Sequence, residues 1–228
     1  MSDYPVGPEV DSWPRALPAR ERMAGGRMTL EPLNKRHVVD LWEAAKGADA
    51  SFTYMGYGPF ASRASVEACV AAHMAKPDMA FWAVRPVVTG RAAGWLSLMN
   101  IEPGNAAIEL GSIWFGPELQ RTRAATEAMF LLLRHAADEL GYRRLVWKCD
   151  ALNAPSRRAA LRLGFTFEGV LRTHMVVKGR ERDTAMYAMT AAEWPVRRDA
   201  LLAWLAPENF DDEGNALRGL ASFRGETA

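Results

Sequence analysis

The segment QRTRAATEA, residues 120–128, combines cationic, hydroxylated and very small side chains at the start of a long helical pattern. A helix start presents about four backbone N–H groups without intrahelical partners, together with the positive end of the helix dipole. Small or hydrogen-bond-donating side chains would let a phosphate approach these groups. By itself the segment predicts either an anion site or an ordinary polar first turn. The residues concerned are Gln120, Arg121, Thr122, Arg123, Ala124, Ala125 and Thr126.

Other kinds of site have little support from residue spacing. The two cysteines, Cys69 and Cys149, lie far apart and outside any CxxC pair, which argues against a disulfide framework or a zinc cluster and fits a reducing, cytoplasmic compartment. The four histidines show no metal-ligand spacing, so we expect no metal. Neither a GxSxG nor a GxGxxG nor a Walker sequence occurs.

Charge and hydropathy exclude further classes of partner. The net charge of +1 gives no electrostatic case for binding nucleic acid or a membrane surface. No apolar run reaches the roughly 18 to 20 residues of a transmembrane helix, and the N-terminal residues lack the apolar core of a signal peptide. We therefore expect a protein that neither crosses a membrane nor is secreted.

The secondary structure around the 120–128 segment can be predicted in chain order. A strand at 28–34 precedes two helices, at 38–45 and 65–76, and a meander of three strands follows. The long helix runs over 122–140 and ends at Gly141, and the next strand leads to a short helix that ends at Gly164. A hairpin across KGRER and a helix that begins near Pro195 complete the pattern.

This order predicts an α+β fold with a mixed, mostly antiparallel sheet of about seven strands flanked by helices. The strand–helix–strand unit around the long helix should make one parallel crossover. We expect an irregular N-terminal arm over residues 1–27, the main domain over 28–194, and a C-terminal helix with a mobile, acidic tail over 195–228.

Three features together resemble the Gcn5-related N-acetyltransferases, the GNAT family, and most closely its branch of ribosomal-protein alanine acetyltransferases. QRTRAATEA is similar to the family's Q/R-x-x-G-x-G/A acetyl-CoA loop, and NAPSRRAALRLGF is similar to an N-x-x-S…LGF motif of that branch. The order of elements is the third feature. The resemblance covers residues 28–190, with one departure: Arg123 and Ala125 stand where the loop usually has glycines.

The resemblance implies where acetyl-CoA would bind. The strand that contains Ile113, Trp114 and Phe115 would bond pantetheine through its backbone, and Asn153 would bond the pantetheine amides. Phosphates would lie on the 120–126 loop, with Arg121 and Arg123 as cationic partners. Arg123 is compatible with this only if its side chain points away or itself clasps a phosphate. Asn153 and Ser156 are equally good helix caps, and both roles can hold at once.

The same resemblance implies the catalytic groups. Transfer to an amine needs a base for the amine proton and a donor for the departing thiolate. Glu109, in the apolar run AAIELGSIWF, is the candidate base, although a solvent-facing residue of a half-exposed strand is the alternative. Ala160 stands where many family members have a tyrosine acid, so Ser156 becomes the candidate thiolate partner.

The function implied is acetyl-CoA-dependent acetylation of a primary amine that belongs to a peptide or a small molecule. A homodimer is one oligomeric state that we expect. The loop SFTYMGYGPF, residues 51–60, and the late hairpin would form the acceptor side, with His174 as a candidate lining residue. The alternatives are a non-catalytic acyl-CoA sensor of the same fold and a nucleotide-binding protein that uses the same helix start.

Overall fold

The described strands all belong to one sheet. The computed structural model describes residues 4–10 and 13–225, and within them eight strands form one sheet in the order β1-β2-β3-β4-β5-β6-β8-β7. Neighbouring strands are antiparallel except β5 and β6, which are parallel. The strands are β1 (Met23–Ala24), β2 (Met28–Pro32), β3 (Ala80–Pro86), β4 (Gly94–Glu102), β5 (Ala107–Phe115), β6 (Arg144–Asp150), β7 (Thr166–Val177) and β8 (Arg180–Thr190).

The predicted α+β fold and the predicted parallel crossover are confirmed. Five helices flank the sheet: α1 (Val38–Ala45), α2 (Arg63–Met74), α3 (Arg123–Arg134), α4 (Ala154–Leu163) and α5 (Trp194–Leu205). Helix α3 joins β5 to β6, as parallel strands require a long connection. It continues through a π-helical turn, His135–Glu139, and Gly141 follows with φ of 70°. Gly164 ends α4 with φ of 97°, so both predicted glycine ends are confirmed.

Each face of the sheet has its own apolar core, because successive strand residues point to opposite faces. On β3, Trp82 and Val84 join a core with α3, α4 and α5, whereas Phe81 and Ala83 join a core with the first two helices. None of the helices in the described ranges has the length and apolar character needed to cross a membrane.

Of the segment predicted to be an irregular arm, residues 1–3 and 11–12 lie outside the described ranges. The rest is largely irregular, but two of its residues form β1 and supply the eighth strand. Its backbone is fixed at several points. The Trp82 indole donates to the carbonyl of Glu21 at 2.7 Å, and the Glu127 carboxylate accepts from the N–H groups of Gly26 and Arg27, each at 2.8 Å. The arm is therefore tied both to the sheet and to α3.

The C-terminal tail, for which we expected mobility, is packed on the domain up to residue 225. Leu220 is buried in the core with α5, and Phe223 packs beside it. The Arg224 guanidinium donates to the carbonyl of Arg162, at the end of α4, at 2.6 Å. The composition of the tail is polar, but its few apolar side chains meet an apolar surface that the sequence alone does not show.

The late hairpin turns more tightly than predicted. Strand β8 begins at Arg180, so only Lys178 and Gly179 form the turn, with φ of 49° and 73°. Positive φ at both central residues is the geometry that matches the twist of a two-residue hairpin. The remaining residues of KGRER belong to the strand.

Candidate active site

Strands β5 and β6 separate part-way along their length. Register pairs join Ala107 with Arg144, Ile108 with Leu145 and Glu109 with Val146, and none joins the two strands further on in the described ranges. Strand β6 meanwhile stays paired with β8 as far as Asp150. The last residues of β5, Ile113, Trp114 and Phe115, therefore have no described strand on the β6 side, and those of their backbone groups that do not bond β4 face an open cleft. An extended ligand could bond such an edge as an added strand does.

A bulge shapes β5 at the start of this cleft. Trp95 pairs with Trp114 and Ser97 with Gly111, so β5 has one extra residue against β4. Ser112 lies in this interval with φ of 48°. The bulge changes the direction of the β5 edge where β5 and β6 diverge.

Tyr57, from the 51–60 loop, bridges to this bulge. Its hydroxyl accepts from the Trp95 indole at 2.9 Å, and lies 3.4 Å from the Ser112 carbonyl, to which it donates. Burial raises the pKa of the Tyr57 phenol, so this proton is retained. The loop predicted to lie on the acceptor side is thus bonded to the strand that lines the cleft.

Glu109 lies at the point where β5 and β6 part. Its side chain is buried, and one carboxylate oxygen accepts from the Asn100 amide at 2.7 Å and lies 2.8 Å from the Lys148 ammonium. The alternative of a solvent-facing strand residue is therefore wrong. Lys148 and Asn100 had no signal in the sequence, because each comes from a different strand.

The start of α3 has the donors that an anion would need. Thr122 is its N-cap, and its hydroxyl accepts from the N–H of Ala125 at 3.1 Å. Within the described ranges, the N–H groups of Arg121, Arg123 and Ala124 have no hydrogen-bond partner. Arg121 has φ of 62° and is exposed. Gln120 has a local role, since its amide donates to the Phe115 carbonyl at 2.8 Å and joins the loop to the end of β5.

Arg123 points away from this helix start. Its guanidinium donates to the carbonyl of Leu205 at the end of α5 and stacks on the Phe210 ring, 4.0 Å from the ring centroid. Of the two arrangements that the sequence allowed, the structure has the one in which the side chain is turned aside. The bulk of Arg123 therefore does not cover the free N–H groups.

A third arginine near the helix start was missed by sequence reasoning. Arg162, near the end of α4, donates to the Thr126 hydroxyl at 3.1 Å and lies over the Trp204 ring at 4.5 Å. Burial, and then the neighbouring Arg224, lower the pKa of the Arg162 guanidinium. The pattern of α4 gave no sign of this contact, because it depends on where α5 packs.

Helix α4 begins beside the cleft, directly after β6. The Asn153 side chain accepts from the N–H of Ser156 at 3.1 Å, so its predicted cap role is confirmed. The Ser156 hydroxyl accepts from the Trp147 indole at 3.1 Å. Because an indole N–H can only donate, the Ser156 hydroxyl keeps its own proton as a donor, and the Cys149 thiol is one group with which it forms a hydrogen bond. Ala160 is fully buried and brings no acid to the site.

The 51–60 loop and the late hairpin meet on the acceptor side. The Lys178 ammonium donates to the carbonyl of Phe52 at 2.9 Å, and the Phe52 ring stacks on Trp114 with centroids 5.0 Å apart. His174 is exposed and bonds the Thr184 hydroxyl at 2.9 Å. The two segments predicted to bind the acceptor are thus in contact with each other and with β5.

The family comparison agrees with this geometry. The family model described as "Acetyltransferase (GNAT) domain" matches residues 27–166. This chain belongs to the GNAT acetyltransferase family. Members of this family use acetyl-CoA, and the matched range contains the β5 cleft, the α3 start and the first residue of β7.

Two curated acetyltransferases are similar to part of this GNAT chain. YdaF of Bacillus subtilis is 30% identical over 105 residues, which cover 46% of this chain and 57% of YdaF. The ribosomal-protein-serine acetyltransferase of Escherichia coli is 34% identical over 95 residues, covering 42% of this chain and 52% of that protein. The alignments thus span about half the length of these curated relatives. The similarity to the ribosomal-protein branch, expected from NAPSRRAALRLGF, is confirmed.

A solved structure is similar over nearly the whole GNAT chain. The crystal structure of a GCN5-related N-acetyltransferase from Brucella melitensis is 45% identical, with a TM-score of 0.92, and the match covers 94% of this chain and 99% of that one. The match therefore extends beyond the family model to elements outside it.

Proposed function

We propose that this protein transfers an acetyl group from acetyl-CoA to a primary amine. The observation that carries the proposal is the cleft between β5 and β6, together with the N–H groups of Arg121, Arg123 and Ala124 at the adjoining helix start, which have no partner among the described residues. An open strand edge suits the amides of a pantetheine arm, and a helix start suits a pyrophosphate. Acetyl-CoA would supply the activated acyl group as a thioester.

The binding residues fit this co-substrate. The backbone of Ile113, Trp114 and Phe115 would bond the pantetheine arm, and the Asn153 amide would add a contact from across the cleft. The loop residues Gln120, Thr122, Ala125 and Thr126 shape the phosphate end, where Arg121 supplies an exposed charge. The small side chain of Ala124 leaves its own backbone N–H accessible, whereas the N–H of Ala125 bonds the Thr122 hydroxyl.

The proposed base is Glu109, which would take the proton of the amine directly or through a water molecule. Burial and the contacts of Asn100 and Lys148 hold its carboxylate in one place at the parting of the strands. Fixed geometry at the reacting centre favours catalysis because little reorganisation is needed during the reaction.

The proposed donor to the departing thiolate is Ser156. Its oxygen accepts from the Trp147 N–H, which orients the hydroxyl, and its own proton would turn from the neighbouring Cys149 thiol to the departing thiolate. No other hydroxyl of α4 is available, since Ala160 stands at the position of the usual tyrosine.

For the acceptor we propose the terminal amine of a protein. The support is the similarity to the E. coli ribosomal-protein-serine acetyltransferase, together with the contact between the aromatic 51–60 loop and the β7–β8 hairpin on the acceptor side. Two segments that meet there could both contact a peptide.

The test is thiol release from acetyl-CoA with a panel of amines: N-terminal peptides, free amino acids, polyamines and amino sugars. Release with peptides above all others is the expected result. Tight acetyl-CoA binding without release for any amine would contradict the catalytic proposal and favour a sensor. A thermal shift with ATP and none with acetyl-CoA would contradict the proposed co-substrate.

A further inference from the structure

Arg123 lies in the loop where a bulky side chain would interfere with a phosphate. A segment far along the chain holds this side chain away from the start of α3. We infer that residues 205–210 are part of the cofactor-binding apparatus, because the Leu205 carbonyl and the Phe210 ring keep the Arg123 side chain off the α3 start. Phe210 is thus a positioning residue for acetyl-CoA. The inference rests on the proposed function.

Two contacts of different kinds fix the guanidinium. Leu205 is the last residue of α5, so its carbonyl has no helical partner and lies at the negative end of the helix dipole. The Phe210 ring, 4.0 Å away, adds a cation–π contact. The neighbouring charges are mixed, since Arg27 repels the guanidinium and the carboxylates of Glu127 and Glu208 attract it.

Phe210 is itself held by packing. Its ring meets Trp204 edge-on, with centroids 5.2 Å apart, and it packs against the core that α3 and α5 share. Residue 210 also pairs with Ala216 through an isolated bridge, which folds the tail back on itself. The aromatic surface that holds Arg123 therefore exists only when the tail is folded.

One buried hydrogen-bond donor of Arg123 is left unsatisfied by this arrangement. The Nε of Arg123 is buried and has no hydrogen-bond partner in the described ranges. A buried, unsatisfied donor favours any conformation in which it finds an acceptor. Without Phe210, we expect the side chain to move toward solvent and over the N–H groups of Arg123 and Ala124, where it must be displaced or reordered before a phosphate can bind.

The experiment measures the Kd of acetyl-CoA by calorimetry for the wild type, Phe210→Ala, Arg123→Ala and the double variant. Phe210→Ala should weaken binding about three- to tenfold, the range expected for losing one cation–π anchor. Arg123→Ala keeps the backbone N–H of the proposed phosphate site and removes only the side chain held by Leu205 and Phe210, so it should bind about as tightly as the wild type. The double variant should match Arg123→Ala, because Phe210 acts only through the arginine.

Matched variants separate this effect from general loss of packing. Phe223→Ala removes a tail ring that stacks on Arg218 at 4.2 Å and not on Arg123, so its acetyl-CoA affinity should stay unchanged. Phe210→Leu keeps most of the apolar volume without the ring, and should reproduce the weaker binding if Phe210→Ala proves unfolded. Thermal unfolding of every variant reports whether the tail remains packed.

Three results would overturn the inference. The first is unchanged or tighter acetyl-CoA binding by Phe210→Ala, and the second is an equal loss of affinity on Phe210→Ala whether residue 123 is arginine or alanine. The third is a large loss of affinity for Arg123→Ala alone. The last would show that the arginine clasps a phosphate. A wild type that binds no acetyl-CoA would refute the proposed function itself, which is a different outcome from any of these.

Discussion

The Lys148 ammonium lies 2.8 Å from the Glu109 carboxylate, and the two residues belong to neighbouring strands at the point where those strands part. Side chains from β5 and β6 can meet only where the strands are still close. The ion pair thus fixes the acid at the closed end of the cleft, while the open end is free for an extended ligand.

If Glu109 is the base, Glu109→Gln should lower turnover by about 100-fold at neutral pH, the usual size of a general-base contribution. The amide keeps the shape of the carboxylate, so the Kd of acetyl-CoA should hardly change. Thiol-release kinetics and calorimetry measure the two quantities. Glu102→Gln is the control, because it changes a carboxylate that lies on β4 and not on β5. Full activity of Glu109→Gln from about pH 6 to 9 would exclude the role.

The cap role and the proposed cofactor contact of Asn153 can be separated by two substitutions. Asn153→Ala should destabilise the protein by about 1 kcal/mol and weaken acetyl-CoA binding, since both contacts are lost. Asn153→Ser restores the cap but not the amide, so stability should recover while affinity stays low. Urea unfolding and calorimetry measure the two effects. Recovery of affinity in the serine variant would show that only the cap matters.

Arg121 should show opposite effects on stability and binding. Its φ of 62° is costly for a residue with a Cβ, so Arg121→Gly should stabilise the fold by about 0.5–1 kcal/mol. Loss of the exposed charge should at the same time weaken acetyl-CoA binding and reduce its salt dependence. Arg91→Gly, at a surface arginine in the turn before β4, is the control for charge. Unchanged affinity at low salt would show that Arg121 makes no phosphate contact.

His73 should make stability depend on pH. Burial lowers the pKa of His73 from 6.5 to about 4, and its ring stacks on Phe81 with centroids 4.2 Å apart. The unfolded chain therefore takes up a proton below pH 6.5 that the folded protein takes up only near pH 4. Stability is present above pH 6.5 and is lost as the pH falls toward 4, by on the order of 3 kcal/mol.

His73→Phe keeps the stacked ring and removes both the titration and the buried Nδ1, which has no partner in the described ranges. Urea unfolding at several pH values should therefore give a flatter profile for this variant. His174→Gln changes an exposed imidazole and should leave the profile as in the wild type. An identical slope for His73→Phe and the wild type would assign the acid sensitivity to other groups.

Much of the architecture could be predicted because it depends on neighbouring residues. The ends of α3 and α4 follow from Gly141 and Gly164, and the α4 cap follows from Asn153 and Ser156. These are local conformational preferences that act within one helical turn. The tail was predicted less well, since its order depends on a few apolar contacts, such as that of Leu220, with elements distant in sequence.

The family and the order of elements could be predicted from the amino-acid sequence alone. Those properties lie in short motifs and in hydrophobic periodicity. The tertiary structure sets how Arg123 is accommodated, because its guanidinium contacts a carbonyl 82 residues away. It also decided what surrounds Glu109, since Asn100 and Lys148 reach it from two other strands. Contacts of this kind are set by the packing of whole elements, which no local pattern records.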